Sequence, residues 1–353
     1  MIKMLGLALY GPLAASHRYR LGQFVQGLAD MGIDLQIRHL LSDEYLHARF
    51  NGQALPLRSM MKDGMNRFKD LWHQDDFDAV MLQCELMPLM PGWLEQALIR
   101  KPYIYDFDDA FYLKYRTGKM HWAKPLLGSK FDGVMAGAAA VTAGNFGLAD
   151  YASRFNGNAH YLPTVVDTDR YLPMKESRDS EVFTVGWIGS PSTAPYLQEL
   201  IEPLSNLGKE GAVRLIVIGA RAPKIPNVSI VEHEWHEHNE LELINAFDVG
   251  VMPLADDDWA RGKCAFKLIQ YMACAVPVIA SPVGANVDVV NKESGMLAAN
   301  AKEWLDAFRL LRDKPAMRMN MGEAGRDRVV QHYSLHQNLP KLAGVIHQVL
   351  GDA

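Results

Sequence analysis

Short apolar runs that alternate with helix-like segments are the feature that most restricts the fold of this chain. The run at 276–280 (Val-Pro-Val-Ile-Ala) is apolar on both faces, which is typical of a strand covered on both sides. The segment before it, 264–273, repeats its apolar residues at helical spacing instead. The same alternation begins the chain, with a strand at 3–10, a helix at 20–31 and a strand at 33–39. Such units predict an α/β fold built on parallel, doubly wound sheets.

A polar stretch separates two series of these units. Residues 170–180 contain Pro173 and five charges, and we interpret them as a domain linker. The length of 353 residues is consistent with two or three domains. We therefore expect a first domain at 1–172, a second at 173–335, and a last amphipathic helix at 336–353 that returns to the first domain.

Bulk composition narrows the class of protein. The net charge of −5 argues against a general nucleic-acid-binding protein. The three cysteines, Cys84, Cys264 and Cys274, cannot all pair, which favours a reduced cytoplasmic protein. No apolar run reaches about 18 residues, so we expect no membrane span.

Polar residues follow the first predicted strand, at the sheet edge where α/β proteins bind ligands. They are Ser16, His17, Arg18 and Arg20. We expect them to contact a ligand; the alternative is a helix start that faces solvent. The loop lacks the G-x-G-x-x-G pattern of dinucleotide binding, which disfavours a nicotinamide-dependent dehydrogenase.

Three carboxylates end another predicted strand. Asp106, Asp108 and Asp109 fall within four residues, where like charges repel one another. One interpretation is a site in which Asp108 and Asp109 hold hydroxyls or a proton. Two alternatives stay open, a metal-binding D-x-D pattern and simple capping of the next helix.

Two stretches mix basic side chains with large apolar ones. The first, 47–72, suits a basic amphipathic surface on anionic lipid, although an ordinary helix with a solvated basic face explains it as well. The second, 111–130, follows the carboxylates and suits an anionic, lipid-diphosphate ligand or a plain basic loop. Their basic residues are Arg49, Arg58, Lys62, Arg67, Lys69, Lys114, Arg116, Lys119, Lys124 and Lys130.

A glycine-bearing loop follows the strand predicted at 183–189. It joins a flexible backbone to hydroxyl groups at a helix start, which suits a phosphate group. A helix N-cap without a ligand is the alternative. The histidines at 233–238 form no zinc pattern and are interpreted as exposed loop residues. The loop residues in question are Gly189, Ser190, Ser192 and Thr193.

Three polar residues share one face of the helix predicted at 264–273. Lys263, Lys267 and Gln270 are spaced i, i+4 and i+7. Lysine is rarely buried unless it is paired, yet this helix precedes a fully buried strand. Two ammonium groups near a helix N-terminus suit a phosphate.

Six segments resemble the retaining GT-B fold glycosyltransferases of family four, also called glycosyl transferases group 1. Together they span most of the chain, and the second-half motifs are specific in combination. The segments are 263–284 (KCAFKLIQYMACAVPVIASPVG), 185–193 (VGWIGSPST), 247–254 (FDVGVMPL), 321–326 (MGEAGR), 106–109 (DFDD) and 162–167 (LPTVVD).

The resemblance implies two Rossmann-like domains that face a cleft, with a C-terminal helix crossing back. The first domain would bind the acceptor and contribute Asp108 and Asp109 to catalysis. Lys263 and Lys267 would neutralise the departing nucleoside diphosphate. The implied donor-binding residues are Gly189, Ser190, Ser192, Thr193, Lys263, Lys267, Gln270, Gly284 and Ala285, and the implied acceptor-binding residues are Ser16, His17, Arg18 and Arg20.

The implied reaction moves a sugar from a nucleotide-sugar to a glycan, glycolipid or lipid-linked acceptor, with retention and without a metal or other cofactor. The protein would work in the cytoplasm, peripheral on the inner face of the membrane. The family's two glutamates correspond here to Gly262 and Gln270. Two rivals follow, a GT-B nucleotide-sugar epimerase or hydrolase and a non-catalytic nucleotide-sugar-binding subunit.

Overall fold

The computed structural model describes residues 1–174 and 181–351. Part of the predicted linker, 175–180, lies outside the described residues, as do 352–353 at the end of the predicted last helix.

The chain forms two compact units rather than two consecutive halves. The first contains Met1–Val165, Gly262–Cys264 and the chain from Leu335 onward. The second contains Val166–Arg261 and Ala265–Ser334. A short piece of the segment that begins the donor-like motif is therefore part of the first unit.

Parallel strands form the sheet of the first unit. The described strands are β1 (Ile2–Tyr10), β2 (Ile33–Leu41), β3 (Ala79–Gln83), β4 (Tyr103–Phe107), β5 (Ala140–Ala143) and β6 (Ala159–Tyr161). They pair in the order β2-β1-β3-β4-β5-β6. The strands β3, β4 and β5 are buried along their whole length, as expected for a parallel sheet covered on both faces.

Helices cover both faces of this sheet. They are α1 (Ala15–Arg20), α2 (Val25–Asp30), α3 (Asp43–Phe50), α4 (Leu57–Trp72), α5 (Gly92–Leu98), α6 (Lys124–Leu127), α7 (Lys130–Gly137) and α8 (Phe146–Ser153). Short 3₁₀ helices lie at Gly22–Phe24, Gln74–Asp76, Phe111–Leu113 and Gly118–Ala123.

A second parallel sheet forms the other unit. Its described strands are β7 (Phe183–Ile188), β8 (Val213–Ile218), β9 (Ser229–His233), β10 (Val249–Met252), β11 (Val278–Ala280) and β12 (Gly295–Leu297). The order is β12-β11-β10-β7-β8-β9, so β10 and β7 lie at its centre and β11 is the neighbour of β10. Loops that follow these three strands consequently meet at one edge of the sheet.

In the second unit, a glycine of one helix allows it to pack closely against the end of another. The helices of this unit are α9 (Ile201–Gly208), α10 (Glu240–Asn245), α11 (Asp258–Arg261), α12 (Phe266–Ala273), α13 (Asn286–Val289), α14 (Ala301–Asp313) and α15 (Pro315–His332), with a 3₁₀ helix at Ala194–Leu200. A Cβ on Gly322 of α15 would overlap the carbonyl of Ala275 after α12. A larger residue at position 322 would therefore separate the two helices.

The last helix, α16 (Leu335–Leu350), belongs to the first unit. Its residues Leu342, Ala343 and Ile346 are buried in the same core as Met4 and Ala8 of β1. None of the described helices is long and apolar enough to cross a membrane.

The α/β prediction with two parallel sheets is confirmed. The sequence pattern also predicts helices over 88–98 and 196–207, and both start differently. The first begins at Gly92, because Leu89 has a positive φ of 64° and Pro91 precedes the first turn. The helix expected at 196–207 begins as the 3₁₀ helix Ala194–Leu200.

Candidate functional site

The loop after β1 is stabilised by hydrogen bonds from Arg18 of α1 and to Asp43 of α3. Arg18 Nη1 donates to the carbonyls of Pro12 (2.8 Å) and Leu13 (2.7 Å), and Asp43 Oδ1 accepts from the Leu13 amide at 3.0 Å. Arg18 therefore stabilises this loop, and its contact with an acceptor stays a prediction.

Arg20 is a buried structural residue. Its side chain is 1% exposed and forms an ion pair with Asp106, with Nε 3.0 Å from Oδ2. Arg20 Nη1 donates to the Leu162 carbonyl at 2.6 Å, and Thr142 donates to Asp106 at 2.6 Å. The donors of Arg20 therefore serve the core, and its contact with an acceptor stays a prediction.

Ser16 and His17 keep their place at the carboxyl edge of the sheet, on α1 after β1. Burial, with a smaller effect from His39, lowers the pKa of His17 to about 4, so the ring is neutral at pH 7. These residues can offer a hydroxyl and a neutral ring nitrogen to a ligand, but no charge.

Asp108 and Asp109 follow β4 as predicted. Burial raises the pKa of Asp108 to about 7; Arg20 opposes this shift, and the carboxylates of Asp106 and Asp109 add to it. Burial also raises the pKa of Asp109, although Lys263 Nζ lies 3.6 Å from its Oδ2. The capping alternative fails, because the 3₁₀ helix that follows has no side-chain cap. Asp108 is thus poised to exchange a proton near neutral pH.

Asn145 anchors residues 262–264 in the first unit. Its Nδ2 donates to the carbonyls of Gly262 and Lys263, both at 3.0 Å, while its Oδ1 accepts from the Leu148 amide and caps α8. Cys264 Sγ donates to the Asp108 carbonyl at 3.0 Å. The sequence did not single out Asn145, so its role as an anchor was missed.

Gly262 has no room for the glutamate that the resembled family places there. A Cβ on Gly262 would lie 2.5 Å from the Cβ of Ala110 and 2.8 Å from its amide nitrogen. Because these contacts are far below van der Waals distance, the first family glutamate cannot occupy this backbone position unchanged.

In the second unit, the loop after β7 meets Lys267 near the N-terminus of α12. Lys267 Nζ lies 3.3 Å from Thr193 Oγ1 and 4.1 Å from the centre of the Trp187 ring, a cation–π contact. A Cβ on Gly189 would lie 2.7 Å from this ammonium group, so glycine makes the approach possible. The structure thus brings Gly189, Thr193 and Lys267 together. Trp187 also contacts Lys267, which the sequence did not predict because Trp187 lies in a buried strand.

Internal hydrogen bonds shape the same loop. The Ser190 carbonyl accepts from the amide of Thr193 at 2.9 Å and from its hydroxyl at 3.1 Å. The hydroxyls of Ser190 and Ser192 lie 2.8 Å apart. Thr193 makes no side-chain cap to the following 3₁₀ helix, which argues against the N-cap alternative. The loop presents hydroxyls and a cation to one edge of the sheet.

Gln270 is 4% exposed and belongs to a buried polar cluster. Its Nε2 donates to the Tyr171 hydroxyl at 3.0 Å and to Glu240 Oε1 at 2.9 Å. The buried Glu240 also accepts from the Tyr171 hydroxyl and from Trp235 Nε1. Because a carboxylate can only accept, the Gln270 amide must direct its N–H groups toward it. No described residue donates to the Gln270 carbonyl oxygen, which stays available as an acceptor.

Gly284 and Ala285 follow β11 and lead into α13. Gly284 has a φ of 54°, and a Cβ there would lie 2.7 Å from the Arg261 carbonyl. The Ala285 side chain is buried. Contact of these two residues with a donor stays a prediction, and Ala285 would make it through its backbone.

Among the described residues, no group of three or more acidic, histidine or cysteine side chains could hold a metal ion. In the D-x-D pattern, Asp106 is committed to Arg20. The expectation that the reaction needs no metal stays a prediction.

A model of a known protein family matches most of the second unit. Residues 182–313 match the family model of the glycosyl transferases group 1. The chain carries a group 1 glycosyltransferase domain. This domain contains β7–β12. It also contains Lys267 with Thr193 and Trp187, and Gln270 with Glu240 and Trp235, whereas Tyr171 lies outside it. The protein is accordingly a transferase enzyme. A comparison with curated proteins gave no match.

Solved structures share the fold over the whole chain. Sucrose-phosphate synthase from Thermosynechococcus elongatus has a TM-score of 0.71 at 14% identity, over 100% of both chains. HepE from Anabaena, in complex with UDP-glucose, has a TM-score of 0.67 at 14% identity, over 99% of this chain and 100% of its own. The lipopolysaccharide outer core galactosyltransferase WaaB has a TM-score of 0.63 at 9% identity, over 99% of each chain. At such identities these proteins show the GT-B fold alone.

Proposed function

We propose that this glycosyltransferase moves a sugar from a nucleotide-sugar to a glycan, glycolipid or lipid-linked acceptor, with retention at the anomeric carbon. The observation that carries the proposal is Lys267, held beside the hydroxyl-rich loop after β7 inside the group 1 domain. HepE, which has this fold, was solved with UDP and with UDP-glucose, and that supports a nucleoside diphosphate as the leaving group.

The donor side of the proposal assigns a role to each polar group of the second unit. The Lys267 ammonium stabilises negative charge on the departing diphosphate, where a preformed cation lowers the barrier most. The hydroxyls of Ser190 and Ser192 donate to phosphate oxygens, and Thr193 holds the Lys267 ammonium group beside them. The Gln270 carbonyl accepts from a donor hydroxyl, as a neutral substitute for a carboxylate. Lys263 as a second donor cation is proposed from the sequence alone.

On the acceptor side, we propose that Asp108 takes the proton of the attacking hydroxyl. The bond from the anomeric carbon to the diphosphate oxygen breaks, and the acceptor oxygen bonds to the same face of that carbon. A carboxyl whose pKa lies near 7 can hold this proton at neutral pH without a metal. We further propose a cytoplasmic enzyme, peripheral on the inner face of a membrane, because a lipid-linked acceptor resides there.

A thermal-shift screen of nucleoside diphosphates tests the donor site. A ligand at about one hundred times its Kd adds about 2.7 kcal/mol to the free energy of unfolding, which raises Tm by several degrees. We expect UDP or GDP to give this rise. Lys267→Met should weaken the affinity at least tenfold, because a charge-assisted contact is lost, and so should about halve the rise in Tm at the same ligand concentration. The matched control is Lys302→Met, an exposed lysine of the same unit, which should respond like the wild type.

The outcomes separate the rival functions. No response to any nucleoside diphosphate would contradict the proposal. A donor that binds but never turns over with cell-envelope acceptor would indicate a non-catalytic subunit. That rival is favoured by the absence of carboxylates at Gly262 and Gln270. Product formed without any acceptor would indicate an epimerase or hydrolase.

A further inference from the structure

The helix α4 carries an apolar stripe that faces solvent. Five large side chains on it are between 48% and 78% exposed. At about 100° per residue they fall within an arc of about 80°, so they form one continuous row along the helix. They are Leu57, Met61, Met65, Phe68 and Trp72. We call this row the α4 stripe.

The opposite side of α4 fixes its orientation. Leu71 is buried in the core of the first unit, and the buried Arg67 donates from Nη2 to the Ala8 carbonyl of β1 at 2.6 Å. The helix packs against β2, the edge strand of the sheet. Since its inner face is anchored by core residues, the α4 stripe cannot turn inward without breaking that packing.

Positive charge borders the α4 stripe along one edge. Arg58, Lys62 and Lys69 are all exposed and lie within about 40° of one another around the helix, beside the apolar arc. The two acidic residues of α4, Asp63 and Asp70, are only half-exposed and lie farther around, and Asp63 accepts from the Ser42 amide at 3.2 Å. The solvent face of α4 therefore combines an apolar row with a purely cationic edge.

A cavity of about 340 Å³ continues the basic surface beyond Lys69. Its lining contains three cationic side chains, a histidine and two acidic side chains, which leaves a small excess of positive charge. The basic residues are Lys3, Arg38, Lys69 and His73, and the acidic ones are Asp70 and Asp76. The cavity thus offers room and charge for a phosphate headgroup beside the helix.

We propose that α4 docks the enzyme on an anionic lipid bilayer. The α4 stripe enters the boundary between headgroups and acyl chains, and Arg58, Lys62 and Lys69 contact anionic headgroups. A helix with an apolar row and a cationic edge suits this interface, where apolar burial and electrostatic attraction add. Trp72, at the end of the row, is a residue type enriched at membrane interfaces. The inference rests on the proposed action at a membrane and names the surface responsible.

Vesicle co-sedimentation tests the docking. We expect the protein to sediment with vesicles of phosphatidylcholine mixed with phosphatidylglycerol, and far less with phosphatidylcholine alone. Lys62→Gln should reduce the binding about fivefold, because each lysine near an anionic surface contributes on that scale. Met65→Gln should reduce it at least as much. The matched controls are Lys302→Gln and Met319→Gln, at exposed positions of the second unit, and they should bind like the wild type.

Three results would overturn the proposal. The wild type fails to bind anionic vesicles at low salt, or the α4 variants bind as well as the controls. Alternatively, light scattering shows a dimer that Met65→Gln dissociates, which would assign the α4 stripe to a second copy of the chain. The nucleoside diphosphate thermal shift is measured on the same variants. If the protein binds vesicles but no nucleoside diphosphate raises its Tm, the proposed sugar transfer is contradicted and the proposed docking surface is still supported.

Discussion

At the scale of single residues, the buried carboxylate of Glu240 changes how Gln270 is understood. Gln270 stands where the resembled family has a glutamate, yet Glu240 lies 2.9 Å from its Nε2. Two carboxylates at this distance in a buried cluster would repel strongly. Glutamine at position 270 is thus the residue that Glu240 requires, because an amide can donate to a carboxylate.

Exchange of the two side chains tests this pairing. Gln270→Glu should lower the free energy of unfolding by about 3 kcal/mol at neutral pH, since it buries two adjacent carboxylates. The double variant Glu240→Gln/Gln270→Glu should recover most of this loss, because one amide and one carboxylate again face each other. Urea denaturation of both variants and of Glu240→Gln measures the coupling. A fully stable Gln270→Glu single variant would contradict it.

At the scale of elements, α12 is bounded by two left-handed alanines. Ala265 before the helix has a φ of 54°, and Ala275 after it has a φ of 53°. Past its end, the Ala275 amide donates to the Met272 carbonyl and the Val276 amide to the Tyr271 carbonyl. This turn normally uses glycine, because a Cβ in the left-handed region costs free energy.

Ala275→Gly should therefore stabilise the protein by about 1 kcal/mol, which is the left-handed penalty less the greater freedom of glycine in the unfolded chain. The control is Ala324→Gly, inside α15, which should destabilise by about 1 kcal/mol because glycine is a poor helix former. Equilibrium denaturation gives both values. A loss of stability in Ala275→Gly would show that the turn is not strained.

At the scale of the whole molecule, the end of the chain completes the unit in which the chain begins. The buried residues Leu342, Val345 and Ile346 of α16 share a core with β1 and β2. Burial of each such side chain contributes about 1.5–3 kcal/mol. Their sum is comparable to the whole stability of a domain, about 5–15 kcal/mol.

A chain ended at residue 334 should consequently lose the folded first unit and keep the second. Limited proteolysis with mass spectrometry should show rapid cleavage within 1–165 and a resistant fragment within 181–334. The point variant Lys341→Ala, at an exposed position of α16, should leave both units resistant. Equal resistance of both units in the shortened chain would contradict the role assigned to α16.

Local pattern predicted the elements well where burial is uniform. The strand predicted at 276–280 contains β11, and the one at 183–189 contains β7. Helix starts were less accurate, because positive φ at Leu89 and the 3₁₀ turn at Ala194–Leu200 depend on contacts outside the local window. For the site, sequence predicted that Gly189, Thr193 and Lys267 act together. It missed Trp187 and Glu240, which resemble ordinary strand and helix residues.

The sequence by itself determined the alternation of strands and helices, because apolar periodicity is a property of neighbouring residues. It also determined which loops carry hydroxyls, carboxylates and cations. Only the tertiary structure decided which of these groups are free to act. Arg20 forms an ion pair with Asp106, 86 positions away, and Gln270 is oriented by its hydrogen bond to Glu240, 30 positions away. The free energy of a buried charge depends on the partner that folding brings to it, and local spacing carries no record of that partner.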